Sequence, residues 1–592
     1  MADNAAAGSA KGPDRQQWSG QYGFIISAIG SAVGLGNIWR FPGVAYENGG
    51  GAFMIPYLVA LLTAGIPILF LDYALGHRYR GSPPLAFRRL GGKLGQWTES
   101  IGWFQVMICF FIAIYYAAIL AWAASYFVFS FDQRWGDDTG TFLIQDYLHS
   151  DGSTGGFLPP VAGVLIPLAL IWIAAIIVMA LGVKKGVERA NAIAIPVLVI
   201  AFGVLVVRSL FLPGAADGLN SLFSPDFSAL GKADVWVAAY SQIFFSLSIA
   251  FGIMLTYASY RERRSNLTSP GLVVAFANSS FEIMAGLGVF SILGFMAHEN
   301  GQTMKELTDA GGITGVGLSF ITFPKVISEM PGPAAAGALF FGSLFLAGFT
   351  SLISILQVIS GGLQDKFGLS EPKAALVMGI PVAVISLAAF GTEAGLPNLD
   401  VIDKYANEVG IVLSAIVMMV VSMWVYRKGG EFSYHLSVLS TFKAGAVWRF
   451  LVSVVCPVVL AYILAATVIS SFQKPHGGGG YNWHLLYVAG WGTVVTCVVG
   501  ALILTLVGWK TDPLDFEPYP AYPAPARRAP EPRVAVAATA VTGAGAAGVG
   551  GAAATDAVVG SGEAGSPDGA DTPRLEGNTK RDDTTPPAGE VN

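Results

Sequence analysis

The sequence predicts an all-α polytopic membrane protein with twelve transmembrane helices. Of its 592 residues, 53% are hydrophobic and 12% are charged, which is too apolar for a soluble protein of this length. Apolar runs of about 20 residues recur along the chain, and each is long enough to cross the hydrocarbon core of a bilayer. Charged residues concentrate between these runs, so the composition indicates helices packed within a membrane.

The apolar runs define the positions of the twelve spans. They cover residues 22–44, 51–76, 99–130, 160–181, 190–211, 235–260, 269–297, 334–363, 374–391, 400–426, 446–472 and 485–509. Lys and Arg concentrate after the second, fourth, sixth, eighth and tenth spans, whereas the alternate segments contain few and residues 131–156 are acidic. The positive-inside rule then predicts a multi-pass protein of the plasma (inner cell) membrane with both termini in the cytoplasm.

The first span contains an unusual stretch, GSAVGLGNIWRFP, at residues 30–42. Its three glycines each weaken a helix by roughly 0.5–1 kcal/mol relative to Ala. Asn37 and Arg40 add polar groups at membrane depth, where such groups need a partner or a cavity. Unwound backbone is tolerated there only when it is buried in protein or faces water, so we predict a broken helix that binds a ligand. The alternative is a Gly-rich contact between helices.

The sixth span carries hydroxyl and small side chains at its middle, in the stretch QIFFSLSIAFG at residues 242–252. It opens the second group of five spans, as the first span opens the first group. Paired interrupted spans in corresponding positions are typical of transporters built from two inverted repeats, which bind their substrate where the repeats meet. An ordinary helix with scattered serines is the alternative.

The run GSAVGLGNIWRFPGVAYENGGGAF, residues 30–53, resembles the first-helix signature of the neurotransmitter:sodium symporters. The resemblance extends from about Arg15 to about Trp509 and is close to the bacterial amino-acid transporters of that family. It implies two inverted five-helix repeats with broken first and sixth helices, followed by two extra helices. It also implies sodium-coupled import of a neutral, hydrophobic amino acid by alternating access.

This organisation divides the chain into five parts. We expect a disordered cytoplasmic N-terminus at residues 1–14 and a disordered cytoplasmic tail at residues 511–592, because neither buries enough apolar surface to offset its chain entropy. Residues 15–261 would hold the first repeat and the broken sixth helix, residues 262–427 the remainder of the second repeat, and residues 428–510 the last two helices.

The resemblance implies two sodium sites and no organic cofactor. Sodium is a hard cation that prefers oxygen ligands, such as carbonyls, hydroxyls and amides. The first set of ligands, which the substrate carboxylate would complete, is the Ala32 carbonyl with the side chains of Asn37, Ser246 and Asn278. The second set is the carbonyls of Gly30, Val33 and Ala347 with the hydroxyls of Thr350 and Ser351. These two hydroxyls have the alternative of bonding to their own helix backbone.

Glu282 lies one helical turn after Asn278, so both side chains share a helix face. In chloride-dependent relatives a neutral residue occupies this position and a chloride ion supplies the negative charge. Glu282 resembles the chloride-independent members, so we expect transport without chloride. A structural carboxylate paired with a neighbour is the alternative.

The resemblance assigns the substrate carboxylate to the backbone amides of Leu35 and Gly36 and to the Tyr116 hydroxyl. Half-helix N-termini suit a carboxylate because their N–H groups are free. Monoamine carriers of the family place an aspartate at the Gly34 position, so its absence favours an amino acid. The substrate-binding set is Ala32, Leu35, Gly36, Ile112, Tyr116, Phe245, Ser246, Ser248, Phe251 and Ile355.

Two positions depart from the family pattern. Ser31 stands where the bacterial leucine-transporting members have an asparagine, and Ala250 stands where many relatives have glycine. We expect the additional methyl group of Ala250 to shrink the pocket. One methylene group changes discrimination by only about 1–3 kcal/mol, so the sequence does not identify a single amino acid.

Alternating access requires an outer and an inner gate. The resemblance pairs Arg40 with Asp403 on the outer side, with Phe245 as a lid. On the inner side it pairs Arg15 with Asp365, and the supporting residues are Trp18, Ser259 and Tyr260. The alternative for Arg15 and Asp365 is that they are solvated charges at helix ends.

The same sequence features are compatible with two other functions and disfavour several more. A carrier of another small zwitterion, such as glycine, GABA or a betaine-like solute, has the same requirements, as does a non-transporting amino-acid sensor on the same fold. An ion channel is disfavoured because the sequence shows no repeated pore segment. An enzyme is disfavoured because it shows no nucleotide motif, nucleophile–base set or metal cluster, and nothing indicates a nucleic-acid partner.

Overall fold

The computed structural model describes residues 16–157, 159–309, 315–517 and 521–523. These residues belong to one compact unit, Met1–Ala524, and the second unit, Pro525–Asn592, lies outside the described residues. The disorder predicted for residues 1–14 and for most of residues 511–592 therefore concerns segments outside the described part of the chain. Arg15, which was predicted to belong to the inner gate, also lies outside the described residues.

The described residues form helices joined by turns and loops, and their only strand-like pairings are two isolated bridges, Gly50 to Pro225 and Pro160 to Thr392. The principal helices in chain order are α1 Gln21–Ala32, α2 Leu35–Glu47, α3 Gly51–Tyr79, α4 Pro83–Gly91, α5 Gly95–Phe129, α6 Ala162–Ala180, α7 Val183–Leu210, α8 Ala215–Phe223, α9 Ala233–Ser246, α10 Ile253–Ser259, α11 Thr268–Glu299, α12 Pro333–Phe367, α13 Glu371–Phe390, α14 Gly395–Val425, α15 Gly429–Val438, α16 Ala446–Gln473 and α17 Leu485–Leu506.

Within the described part of the chain, ten helices are long and apolar enough to cross a membrane, with α4 and α5 counted as one. The pair α1 and α2 makes an eleventh span when its two pieces are counted together. The remaining predicted span is divided between α9 and α10, which are 14 and 7 residues long. The all-α polytopic fold and the breaks in the first and sixth spans are therefore confirmed.

The first break separates α1 from α2, whose axes differ by 50°. Val33 and Gly34 are extended there, with φ of −75° and −130°. A β-carbon on Gly34 would lie 2.9 Å from Ser351 Oγ and 3.2 Å from the Tyr116 hydroxyl, so glycine permits the close approach of α12 and α5 to the unwound backbone.

The second break covers the residues between α9 and α10. Ser248, Ala250 and Gly252 have φ of 52°, 67° and 96°, which is the left-handed region that favours glycine. Hydrogen bonds from elsewhere in the fold hold this conformation. The Ala250 N–H donates to Asp72 Oδ2 at 2.8 Å, and the Ala250 carbonyl accepts from Ser414 Oγ at 2.6 Å and from Gln105 Nε2 at 3.0 Å.

The two breaks meet at the centre of the helix bundle. α1 contacts α7, α11 and α12, and α5 packs along α12. The hydroxyl of Ser248 donates to the Ser31 carbonyl at 2.9 Å, which connects one break directly to the other. This arrangement satisfies polar backbone groups that could not remain unpaired within a membrane.

We expect Ala250→Gly to raise the free energy of unfolding by about 0.5–1 kcal/mol, because glycine adopts the left-handed conformation of this residue without steric strain. The measurement is thermal unfolding of the purified protein. Ala239→Gly is the matched control, since Ala239 is equally buried but lies within the regular helix α9. The control should be destabilised by about 0.5–1 kcal/mol. Equal destabilisation of both variants would contradict the prediction.

Candidate functional site

A cavity lies where the two breaks face α5, α12 and α14. All ten residues of the predicted substrate-binding set line it. Ser31, Gly34 and Asn37 also contribute to its wall, whereas Ala250 is not among the lining residues. The expectation that the Ala250 methyl group narrows the pocket is therefore not met.

One end of the cavity is polar and rich in hydrogen-bond donors. Leu35 and Gly36 are the first residues of α2, so their N–H groups have no acceptor within the helix. The Leu35 N–H donates to the Tyr116 hydroxyl at 3.4 Å. The helix dipole adds partial positive charge at this end, and together these groups suit a carboxylate.

The other walls are mostly apolar. Ile112, Ile355 and Phe251 line the cavity and are 4%, 4% and 5% exposed. Ser248 adds a hydroxyl to this wall, but that hydroxyl is already bonded to the Ser31 carbonyl. The lining thus combines a carboxylate-binding end with an apolar compartment.

The residues of the first predicted sodium site form a buried chain of amide and hydroxyl groups. Asn37 Nδ2 donates to Asn278 Oδ1 at 2.8 Å, and Asn278 Nδ2 donates to Ser246 Oγ at 3.0 Å. All three side chains are at most 2% exposed. Their neutral oxygens fit a hard monovalent cation, because the two amides can turn their oxygens toward it.

The residues of the second predicted sodium site also lie together. Ser351 Oγ is 3.2 Å from the Ala347 carbonyl, 3.3 Å from the Ser31 carbonyl and 3.5 Å from the Gly30 carbonyl. Thr350 Oγ1 donates to the Ala347 carbonyl at 2.9 Å. The hydroxyls thus bond to their own helix, as in the alternative interpretation, while Ser351 also reaches the backbone of α1. Val33 is adjacent, at the C-terminal end of α1.

Glu282 is fully buried on α11 and is held by neutral donors. Gln242 Nε2 donates to its Oε1 at 2.7 Å, and the Tyr57 hydroxyl makes a short contact with its Oε2. The Tyr57 hydroxyl is also bonded to Ser279 Oγ at 2.8 Å. Among the ion pairs of the described residues, none includes Glu282. The partners of this carboxylate thus include Gln242 and Tyr57, which also agrees with the alternative of a structural carboxylate paired with a neighbour.

The predicted outer gate is not joined by an ion pair. Arg40 lies over the Phe245 ring, 4.7 Å from its centroid, so the arginine and the predicted lid are in contact. Asp403 Oδ1 instead accepts from Asn407 Nδ2 at 2.8 Å. Of the ion pairs between described side chains, none connects Arg40 to Asp403.

The predicted inner gate is tightly packed. Trp18 is 4% exposed, its Nε1 donates to the Tyr257 carbonyl at 2.9 Å, and its N–H donates to the Tyr260 carbonyl at 3.3 Å. Asp365 Oδ2 accepts from the Ser82 N–H at 2.7 Å. Ser259 donates to the Thr256 carbonyl of its own helix, so its hydroxyl takes no direct part in these contacts.

Sequence reasoning missed three polar residues of the site, and also the lining residues Trp39, Ile119, Ile253 and Ile411. Asp72 anchors the second break, and Tyr115 and Asn407 line the cavity. A lone carboxylate within an apolar span was a signal for Asp72, because such a group needs a partner at membrane depth. Asn407 follows Asp403 by one helical turn, which was also readable from the sequence.

Two broken helices that enclose a buried cavity at the centre of a helical membrane bundle define a secondary transporter of the inverted-repeat class. The family model described as the sodium:neurotransmitter symporter family matches residues 15–151 and 158–511. The chain belongs to this family of sodium-dependent transporters, and the predicted family is confirmed.

Individual relatives agree with this assignment. The chain is 37% identical over 497 residues to an uncharacterized sodium-dependent transporter of Methanocaldococcus jannaschii, covering 83% of this chain and 96% of the relative. It is 28% identical over 567 residues to the human sodium- and chloride-dependent neutral and basic amino acid transporter B(0+), covering 83% and 86%. The crystal structure of MhsT in complex with L-phenylalanine aligns with a TM-score of 0.64 and 30% identity, covering 76% of this chain and all (100%) of MhsT.

We expect Asp72→Ala to lower the free energy of unfolding by about 1–3 kcal/mol, because the buried Ala250 N–H loses its acceptor. Asp72→Asn is the matched control, since its amide oxygen can accept the same hydrogen bond. Thermal unfolding of both purified variants measures the difference. If Asp72→Ala is as stable as Asp72→Asn, the anchoring role of this hydrogen bond is wrong.

Proposed function

We propose that this protein imports a neutral, hydrophobic amino acid together with sodium by alternating access. The observation that carries the proposal is the cavity between the two breaks, which combines N–H groups that have no acceptor within α2 with an apolar compartment. An α-amino acid presents a carboxylate and a side chain in that relation. The binding of L-phenylalanine by MhsT adds support, since that structure is similar over most of the chain.

The substrate is expected to carry its own carboxylate. Gly34 supplies no acidic group at the first break, so the site contains no counter-ion there for an amine that lacks a carboxylate. Leu35, Gly36 and Tyr116 would bind the carboxylate, and Ile112, Phe251 and Ile355 would contact the side chain. Phe245 would cover the substrate on the outer side.

We infer two sodium ions per transport cycle. The first would bind among Asn37, Ser246, Asn278, the Ala32 carbonyl and the substrate carboxylate, which couples ion binding to substrate binding through a shared negative charge. The second would bind where Ser351 brings the α12 hydroxyls to the carbonyls of α1. It would stabilise the contact between these helices and thus the closed inner side.

Glu282 would remove the need for chloride. Its carboxylate lies one turn from Asn278 and, when ionised, would supply the negative charge near the first sodium site. A mobile anion would add a second charge to a buried environment, which is unfavourable.

The transport cycle would use the two ends of the cavity in turn. Packing of Trp18 against Tyr257 and Tyr260 closes the inner side, while the outer side lacks the Arg40–Asp403 ion pair. Sodium and substrate would enter from the outer side and draw α2, α9 and α5 together around the carboxylate. Closure of the outer gate would then allow the inner contacts to separate.

We propose that both termini face the cytoplasm. The loop arginines gather at the end of the bundle that holds Trp18, since Arg80 contacts the Arg261 carbonyl and Trp18 contacts Tyr260. Lys510 N donates to the Lys366 carbonyl, so the segment after α17 lies at the end of α12. The positive-inside rule assigns this end to the cytoplasm. Residues 15–261 and 262–427 would be the repeat-containing parts, followed by residues 428–510.

The proposal is tested by thermal unfolding of the purified protein with a panel of amino acids, in sodium and in potassium. We expect neutral aliphatic or aromatic amino acids to raise the unfolding temperature only in sodium, because a ligand that binds the folded state stabilises it by RT ln(1 + [L]/Kd). Uptake into proteoliposomes then separates a carrier from a sensor. A response to GABA, glycine or betaine alone identifies another zwitterion carrier, and an equal response in potassium contradicts the sodium site.

Matched asparagine variants sharpen this test. Asn278→Ala removes the amide between Asn37 and Ser246, and we expect at least a tenfold weaker response to sodium. Asn300→Ala is the control, because Asn300 is exposed just beyond the same helix and should respond as the wild type does.

Replacement of chloride by gluconate should leave uptake unchanged in the wild-type protein, because Glu282 supplies the negative charge. In Glu282→Ala, chloride should stimulate uptake severalfold, since the anion can then take the place of the carboxylate. The measurement is sodium-driven uptake into proteoliposomes in the two anions. A strict requirement of wild-type uptake for chloride would contradict the proposed role of Glu282.

A further inference from the structure

The Asp403 carboxylate forms hydrogen bonds to side chains of α14 and α5 rather than an ion pair with Arg40. Asn407 Nδ2 lies 2.8 Å from Asp403 Oδ1 and 3.0 Å from the Asp403 carbonyl. The same nitrogen lies 3.1 Å from the Tyr115 hydroxyl, which is itself hydrogen-bonded to the Asp403 carboxyl group. These three side chains form a closed cluster on the cavity wall.

The backbone of α14 contributes to this cluster. Residues Tyr405–Ile411 form a wider π-helical turn, which includes Asn407. Such turns interrupt the regular hydrogen-bond ladder, and here the Asn407 amide bonds to the carbonyl of Asp403 one turn earlier. Asn407 is thereby held in position to donate to the carboxylate.

Arg40 makes a different contact, although its positive charge also acts on the Asp403 carboxylate. Its guanidinium lies over the Phe245 ring, 4.7 Å from the centroid. Asp403 therefore has two competing arrangements: hydrogen bonds to Asn407 and Tyr115, or a charged pair with Arg40. Hydrogen bonds to a carboxylate are comparable to or stronger than an ion pair at a hydrated vestibule, so the neutral partners can decide the balance.

We propose that Asn407, together with Tyr115, is a positioning residue of the outer gate that holds the Asp403 carboxylate away from Arg40 and so sets how readily the outer side closes. The inference rests on the proposed function in one respect, namely that closure joins Arg40 to Asp403. Loss of the Asn407 amide releases the carboxylate and favours the closed form.

A cysteine reporter in the cavity tests this inference without any substrate. Ile119 lines the cavity on α5, one turn beyond Tyr115, and the native cysteines Cys109, Cys456 and Cys497 are all buried. The probe is a membrane-impermeant methanethiosulfonate reagent added from outside to Ile119→Cys protein in sodium. Asn407→Ala should slow labelling by about threefold to tenfold, as expected for loss of one hydrogen bond to a carboxylate.

The double variant separates gate positioning from a general structural effect. In an Asp403→Asn background there is no carboxylate to release, so Asn407→Ala should cause no further slowing. Glu408→Asp is the matched control on the next residue, since it keeps both the pairing with Lys404 and the negative charge that acts on Asp403, and it should leave labelling unchanged. Tyr115→Phe removes the second partner of Asp403 and should slow labelling in the same direction, which decides the question if Asn407→Ala does not fold.

Labelling of Asn407→Ala at the wild-type rate or faster would overturn the inference. The same conclusion follows if its slowing persists in full in the Asp403→Asn background. Failure of the wild-type protein to respond to any amino acid would contradict the proposed function, whereas the labelling difference would still report on Asp403.

Discussion

The structure depends on one constraint, which is that polar backbone inside a membrane must be satisfied by other parts of the protein. Both helix breaks expose such backbone at the centre of the bundle. The Ser248 hydroxyl connects the two breaks by donating to the Ser31 carbonyl, and the Asp72 carboxylate accepts a hydrogen bond from the Ala250 N–H. Some of the groups that form the site therefore also stabilise the two breaks.

This requirement explains why the cavity walls come from distant parts of the chain. α5 and α14 supply Gln105 and Ser414, which both donate to the Ala250 carbonyl. The same two helices supply Tyr116 and Asn407 to the cavity. The helices that stabilise the unwound backbone therefore also carry side chains of the cavity wall, so the breaks and the cavity depend on the same packing.

The polar groups around the breaks are mainly neutral, and this has a chemical consequence. Hydrogen bonds link the side chains of Asn37, Asn278 and Ser246, and each of these side chains carries an oxygen able to bind a cation. A small cation that replaces these bonds keeps oxygen ligands but adds one buried positive charge, which a nearby carboxylate offsets. Glu282 lies nearby with neutral partners, so its carboxylate is held by Tyr57 and Gln242 rather than by an arginine or lysine.

The sequence by itself determined the membrane architecture and the family. Hydrophobic length and glycine content are local properties, so each predicted span coincides with a helix or a broken helix pair, and the first break lies within the Gly-rich stretch. The ten residues that the resemblance predicts to bind substrate line one cavity, although they come from the first, third, sixth and eighth spans. The sixth-span break was also readable, from its position in the repeat.

Only the tertiary structure decided which distant groups become partners. Asp72 is hydrogen-bonded to Ala250, and Asn407 is hydrogen-bonded to Tyr115. Arg40 packs over the Phe245 ring and forms no ion pair with Asp403. Ala250 likewise lies outside the cavity lining, whereas Ser248, which has the same left-handed conformation, lies within it. The physical reason is that a hydrogen bond requires alignment within a few tenths of an ångström, and that alignment is set by how the helices pack, not by the order of residues along any one of them.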